Sequence, residues 1–277
     1  MSTIFGHIWR SSTGKFGLIL AVAIIGSAVF APWLTGDPNR IDVLNRFAGP
    51  SWQHWMGTDH LGRDLFSRIL HGARIAMEVA AAVTAIALSL GTVLGVAAGY
   101  GPRQVERPIL ILFDILYSFP NLIFALALVA ILGPGLENVV IIVAMTVMPH
   151  FGRIARAQVL RLKHAPFLEA ERVLGASTAR IVFRHVIPNI AGPLIVVAGM
   201  EVPAVITIEA GLSFLGLGAR PPLASWGTLL HDGYTYLSQS AWPVFFAGMM
   251  LTTATLAFTL FGEALRDAID PRLRTDP

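Results

Sequence analysis

The amino-acid sequence predicts an all-α polytopic membrane protein with six transmembrane helices. Three observations support this fold class: the composition, the long apolar stretches and the distribution of the basic residues. Hydrophobic residues make up 55% of the 277 residues, and charged residues make up 13%. A soluble domain usually carries about 25% charged residues, so this chain lacks the polar surface that water requires. We therefore expect membrane lipid to surround the spans.

The apolar stretches give the positions of the spans. A transmembrane helix needs about 20 predominantly apolar residues. The stretches that meet this requirement readily are residues 16–33, 77–100, 108–132, 190–217 and 242–262. A further stretch, 138–149, is short and can span only if its helix begins near Leu136 and continues towards Arg156. The first stretch could instead be a signal peptide, but its apolar run is long for one.

The basic residues favour six spans with both termini in the cytoplasm. In that arrangement, six of the 20 lysine and arginine residues lie outside, namely Arg40, Arg46, Arg63, Arg68, Arg74 and Arg220. The others lie inside, as the positive-inside rule requires. Without the short span, the basic segment 151–190 would lie outside. The chain then divides into residues 1–76, with the N-terminal segment, first span and outer loop, and residues 77–277, a five-helix core.

The predicted outer loop, residues 35–76, holds the residues that come closest to a metal site. His54, His60 and His71 share this loop, but they lack helical ligand spacing and supporting cysteines. The chain has no cysteine at all, so thiolate sites are excluded. We interpret these residues as ordinary loop histidines and predict no metal site.

A polar cytoplasmic segment, about residues 155–189, interrupts the apolar pattern. Pro166 suits the first turn of a helix over 166–174, and Gly175 suits a left-handed cap at its end. Ser177 can cap a second helix over 178–187, which Pro188 is expected to close. Helices this short are unstable alone in water. They must therefore pack on the membrane, on their own spans or on another protein.

This segment resembles the EAA loop of ABC importer permeases. That pattern is Glu-Ala-Ala, three residues, Gly, nine residues, Ile, one residue and Leu-Pro. The corresponding positions here are Glu169, Ala170, Glu171, Gly175, His185, Ile187 and Pro188. Glu171 replaces the second Ala, His185 replaces the Ile and Ile187 replaces the Leu. Glu171 is the departure that could alter docking.

Four other segments carry the same resemblance. They are "GTDHLGRDLFSRILHGARIAM" (57–77), "FDILYSFPNLIFALALVAILGPG" (113–135), "GLSFLGLGARPPLASWG" (211–227) and "GEALRDAIDPRLR" (262–274). Together they resemble the second permease subunit of dipeptide, oligopeptide and nickel importers. The resemblance covers the chain from about residue 40 to its end.

The resemblance implies a type I ABC importer permease fold and a set of partners. A homologous permease subunit would supply the other half of the pathway, two P-loop ATPase subunits would bind below, and a solute-binding protein would deliver the cargo. The EAA loop would couple to the ATPases, with Glu169, Ala170, Glu171, Gly175, Ile187 and Pro188 as the coupling residues. Peptides are the default cargo, with nickel or glutathione next. The location would be the cytoplasmic (inner) membrane of a bacterium or archaeon.

The chain itself is predicted to have no catalytic site and no cofactor. Its only lysines, Lys15 and Lys163, do not complete a phosphate-binding Gly-x-x-x-x-Gly-Lys-Ser/Thr loop, so ATP and Mg²⁺ would belong to the partner subunits. Ser213 lies in Gly-x-Ser-x-x-Gly rather than the Gly-x-Ser-x-Gly of hydrolases, and His150 is expected to lie far from it. No basic tract is interleaved with aromatics, so nucleic acid is not an expected partner.

Three carboxylates lie inside predicted spans, where a charge is costly unless it faces protein or water. Asp114 is expected to pair with an arginine such as Arg107. Glu201 and Glu209 are candidates for lining the pathway, and a structural hydrogen bond is the equal alternative for Glu209. A proton-coupled secondary transporter using either glutamate is the alternative function. It gives no reason for the EAA pattern.

Overall fold

The computed structural model describes Trp9 and residues 11–269, and within them the fold is all-α. An isolated bridge between Thr58 and Asp64 is the one β-type pairing in this part of the chain. The helices are α1 (Ser12–Leu34), α2 (Leu65–Tyr100), α3 (Arg103–Tyr117), α4 (Asn121–Leu132), α5 (Leu136–Leu162), α6 (Pro166–Val173), α7 (Thr178–Ile181), α8 (Ile187–Phe214), α9 (Trp226–Thr235) and α10 (Trp242–Ile269), with a 3-10 turn at Val43–Asn45 and a π-helical turn at Val182–Val186.

Within residues 11–269, five helices are long and apolar enough to cross a membrane: α1, α2, α5, the continuous helix Thr178–Phe214, and α10. The short predicted span is confirmed as a helix that begins at Leu136. The prediction of one continuous helix over 108–132 is wrong, because α3 and α4 meet at 94°. Pro120 explains the break, since it disfavours a helical conformation at Phe119 and has no N–H to donate. The count is six if this bent pair forms one span.

Helix α2 begins at Leu65, well before the predicted start at residue 77. Asp64 caps it by accepting a hydrogen bond from the Ser67 N–H at 2.8 Å. The charged side chains in its first turns lower the local hydropathy, so hydropathy alone does not predict this start. Arg68 lies in this helix rather than in a loop, and its side chain is buried. Its guanidinium lies 3.5 Å from the Asp59 carboxylate. The boundary drawn at residues 76 and 77 therefore falls within a helix.

Close packing of α2 on α5 forms the centre of the bundle. Gly91, Gly95 and Gly99 recur every four residues and line one face of α2. A Cβ atom on Gly95 would lie 2.3 Å from the Gly152 carbonyl oxygen of α5. Small residues at this spacing let two membrane helices approach closely enough for van der Waals packing. The Phe113 ring of α3 occupies the space that a side chain at Gly152 would fill.

Helix α7 continues through the π turn into α8, so the predicted end at Pro188 is wrong. The Ile187 N–H bonds to the Val182 carbonyl across the wide turn. Pro188 directly follows the π turn inside this continuous helix, and it has no N–H to donate to the preceding turn. The second short helix of the cytoplasmic segment is therefore the first part of the helix that becomes the fifth predicted span.

Candidate coupling segment and intramembrane ion pairs

The turn between α6 and α7 has the geometry that its glycine predicted. Gly175 has a φ of +79°, in the left-handed region. The Gly175 N–H bonds to the Arg172 carbonyl at 3.0 Å, and the Ala176 N–H bonds to the Glu171 carbonyl at 3.0 Å. These two bonds form a Schellman motif, which satisfies carbonyls at the end of α6. Ser177 then caps α7 by accepting from the Arg180 N–H at 3.3 Å.

Part of this segment packs on the chain's own spans. Leu168, Ile181 and Val186 are buried in the main hydrophobic core. The Arg172 guanidinium donates to the Tyr100 hydroxyl at 3.1 Å and to the Lys163 carbonyl at 2.9 Å, which ties α6 to the end of α2. The short helices are therefore held in place without a second protein.

The other side of the segment presents large apolar side chains that the described part of the chain leaves exposed. Val173 is 88% exposed, Leu174 is 82% exposed and Phe183 is 73% exposed. Phe183 also borders an apolar cavity of about 700 Å³ between α7 and the end of α2. Val173 and Leu174 are adjacent in the sequence, and exposed apolar side chains that lie together are typical of an interaction site. Of the other predicted coupling residues, Glu169, Ala170 and Pro188 are exposed and Ile187 is half-buried.

The two non-conservative departures from the EAA pattern contact each other. The His185 Nε2 atom lies 3.5 Å from the Glu171 Oε1 atom, across the gap between α6 and the π turn. Phe167 packs edge-on against the His185 ring, with 6.4 Å between the ring centroids. The two residues that depart from the pattern therefore contact each other, and the sequence pattern alone does not show this contact.

We expect the Glu171–His185 pair to contribute little on its own. Both side chains are partly exposed, and such pairs contribute about 0–1 kcal/mol. Glu171→Ala and His185→Ile, singly and together, restore the residues of the EAA pattern. Thermal unfolding of the four proteins gives the coupling energy by a double-mutant cycle. A coupling energy well above about 1 kcal/mol would show that the pair holds the two helices together.

The membrane carboxylate Asp114 is paired with an arginine, but not with the one predicted. Arg153 of α5 donates to Asp114 of α3 at 2.7 Å, so the choice of Arg107 is wrong. The Arg153 guanidinium also lies 4.5 Å from the centre of the Tyr117 ring. Arg153 faces α3 from another helix, and sequence spacing cannot show such a pairing.

The second membrane carboxylate, Glu201 of α8, hydrogen-bonds His150 of α5. Sequence analysis did not assign His150 a site role. The signal that could have found it is its spacing from Arg153, since residues three apart lie on the same helix face. The Glu201–His150 hydrogen bond and the Asp114–Arg153 ion pair are therefore neighbours along α5.

The third membrane carboxylate, Glu209, is fully buried within the chain. The Ser213 hydroxyl donates to it at 2.6 Å and accepts from the Ala219 N–H at 3.0 Å. This network ties the loop after α8 to the helix itself. Of the two alternatives for Glu209, the geometry favours the structural hydrogen bond, and pathway lining stays a prediction.

Charged residues of the predicted outer loop form a second network. The Arg63 guanidinium lies 2.6 Å from Asp59 and 3.6 Å from Asp232 of α9. His60 stacks on Tyr236, and burial lowers the pKa of His60 below its usual value. Among the described residues, no group of three or more side chains is arranged to hold a metal ion. This network attaches the loop to the helices.

Comparisons with known proteins show the family to which this chain belongs. Residues 91–275 match the family described as binding-protein-dependent transport system inner membrane component. The dipeptide transport system permease protein of Alkalihalophilus pseudofirmus is 39% identical, over 98% of this chain and 90% of that protein. The oligopeptide transport system permease protein of Bacillus subtilis is 39% identical, over 96% and 90%. The glutathione transport system permease protein of Pectobacterium atrosepticum is 37% identical, over 95% and 87%.

The fold is similar to that of a solved transporter. A chain of the inward-facing MetNI methionine ABC transporter aligns with a TM-score of 0.59 and 17% identity, over 73% of this chain and 97% of that chain. This similarity supports the fold, and the sequence relatives support the function. The protein is therefore a permease subunit of an ABC importer, and it belongs to the family of binding-protein-dependent transport system inner membrane components.

Proposed function

We propose that this permease subunit forms half of a translocation pathway for peptides and couples to ATPase subunits through residues 166–188. The cargo is inferred from relatives that carry dipeptides and oligopeptides in their names. Glutathione, itself a small peptide, is the second candidate because of the relative named for it. Nickel stays a prediction from the sequence resemblance.

The exposed apolar side of the coupling segment carries the proposal. Val173 and Leu174 lie at the end of α6, immediately before the rigid turn at Gly175, and both are almost fully exposed. A docking site needs apolar contact area and a fixed shape, and this turn supplies both. The ATPase subunits would hold ATP and Mg²⁺, and this chain would carry out no catalysis.

The remaining partners follow from the family. Its description names a binding protein and an inner membrane, so a solute-binding protein would deliver cargo to the outer face. A homologous permease subunit would complete the pathway, and a pair of P-loop ATPases would dock below. Both chain termini would lie in the cytoplasm, which the basic residues of segment 151–190 support.

The proton-coupled alternative is not favoured. The matching family model and the sequence relatives describe permease proteins of binding-protein-dependent and peptide transport systems. A secondary transporter binds no ATPase subunit, so it would not explain the exposed apolar side chains of Val173 and Leu174.

Loss of ATPase binding is the expected result of making this surface polar. Val173→Gln with Leu174→Gln removes the apolar contact but adds no charge to the helix end. We expect the variant to insert normally and to lose most co-purification of the ATPase subunits and most peptide uptake in vesicles. Leu44→Gln is the matched control, since Leu44 is 96% exposed on the predicted outer loop. Equal ATPase recovery from both variants would reject this docking surface.

A further inference from the structure

One side of the bundle carries ionisable side chains that no other part of the described chain covers. The side chain of Asp114 is 72% exposed, that of Arg153 is 45% exposed and that of His150 is 43% exposed. Asp114 and His150 lie in predicted spans, and Arg153 lies three residues after His150 on α5. A charged group facing hydrocarbon is costly even when paired, so this side cannot face lipid. It must face water or another protein.

The backbone beside these side chains leads to the same conclusion independently. The chain between α3 and α4 is not helical, and the two helices bend by 94° there. Ser118, Phe119 and Pro120 at the break are all exposed. Backbone without helical hydrogen bonds is tolerated at membrane depth only where it is buried in protein or lines a water-filled cavity. Asp114 and Tyr117 come just before the break, and Arg153 contacts both.

We propose that Asp114, Tyr117, Ser118, His150, Arg153 and Glu201 form a water-filled station in the pathway that binds the charged ends of a peptide. This inference rests on the proposed peptide function. A free peptide carries an ammonium group and a carboxylate. The station presents a carboxylate from α3, an arginine from α5 and a His–Glu pair one turn away, so it offers a partner of opposite charge to each end.

The existing ion pairs suit transient binding. Asp114 and Arg153 already bond each other at 2.7 Å, so a bound peptide exchanges one charged partner for another. The net gain is then smaller than the full strength of the new charge-assisted bonds, which favours release of the peptide. A transport pathway needs this property, because a site that binds tightly stops conduction. Selection among peptides can then occur before the cargo enters the pathway. The station binds the ammonium group and the carboxylate that all free peptides share.

The absence of cysteine in this chain allows a direct test. Ser118→Cys places one thiol at the break, and Val22→Cys places one on the exposed apolar side of α1. Both are assembled with partner subunits that lack accessible thiols and are treated with a charged methanethiosulfonate. Only a thiolate reacts, and a thiolate forms in water but not in hydrocarbon. We expect the Ser118→Cys complex to react at least about tenfold faster, and a dipeptide to slow that reaction during turnover.

Charge recognition is tested in the same background. Asp114→Asn should raise the dipeptide concentration needed for half-protection about tenfold, since a charge-assisted hydrogen bond is lost. A peptide that is N-acetylated and C-amidated should protect poorly. Equal, slow labelling of the Ser118→Cys and Val22→Cys complexes would overturn the station. So would rapid labelling that a transported dipeptide does not slow. Absence of any peptide uptake by the cysteine-free complex would instead reject the proposed cargo.

Discussion

Gly95→Leu is expected to prevent stable assembly of the bundle. A Cβ atom at this position would lie 2.3 Å from the Gly152 carbonyl oxygen and 2.7 Å from the Ala155 Cβ atom. These neighbours belong to the backbone and to a short side chain, so they cannot move aside, and α2 must separate from α5. Overpacking typically costs 1–3 kcal/mol, and we expect about 3 kcal/mol or more here. Size-exclusion chromatography in mild detergent after stepwise heating measures the loss.

Gly26→Leu is the matched control for this effect. Gly26 also lies in a membrane helix, α1, but no atom lies within 4 Å of a Cβ atom built on it. The same change in hydrophobicity and volume should therefore leave the elution profile and the melting temperature nearly unchanged. If both variants melt at the same temperature as the unmodified protein, the packing of α2 on α5 is less close than described.

Gly175→Val is expected to abolish coupling while leaving the spans intact. The φ of +79° at Gly175 costs a residue with a Cβ atom about 1–2 kcal/mol, and a β-branched residue more. No atom lies within 4 Å of that Cβ, so the cost comes from backbone strain alone. The turn should open, which misplaces Val173 and Leu174 relative to α7. We expect normal membrane insertion, with loss of ATPase co-purification and of transport.

Two further variants separate backbone strain from other causes. Gly175→Asn should retain most ATPase binding, because asparagine tolerates the left-handed region. Gly192→Ala should be neutral, since Gly192 lies within α8 and also has open space around it. Normal transport by the Gly175→Val complex would show that the turn is not needed for docking.

Much of the fold could be predicted from the sequence because lipid imposes simple requirements. The short span was found by requiring the basic residues of 151–190 to lie inside, and α5 begins at the predicted Leu136. Gly175 was predicted because a glycine between two short helical patterns favours a left-handed cap. Both are local or one-dimensional arguments, so no knowledge of tertiary contacts was needed.

The remaining features depend on contacts between distant parts of the chain. The break before Asn121 was missed because an apolar run gives high hydropathy whether or not it bends at Pro120. The partner of Asp114 was missed because Arg153 belongs to another helix. The close approach of α2 to α5 could have been predicted, since Gly91, Gly95 and Gly99 show the small-residue spacing in the sequence itself.

The continuity of α7 with α8 makes the coupling segment one end of a lever arm. The helix from Thr178 to Phe214 has 37 residues, and at 1.5 Å per residue its first residue lies about 35 Å from Glu201. Each degree of tilt about a pivot at Glu201 then moves Thr178 by about 0.6 Å. A displacement of a few ångströms at Thr178 therefore corresponds to a rotation of only a few degrees about Glu201. The hydrogen bond between Glu201 and His150 lies at that pivot, where a small rotation changes its angle while every helix stays folded.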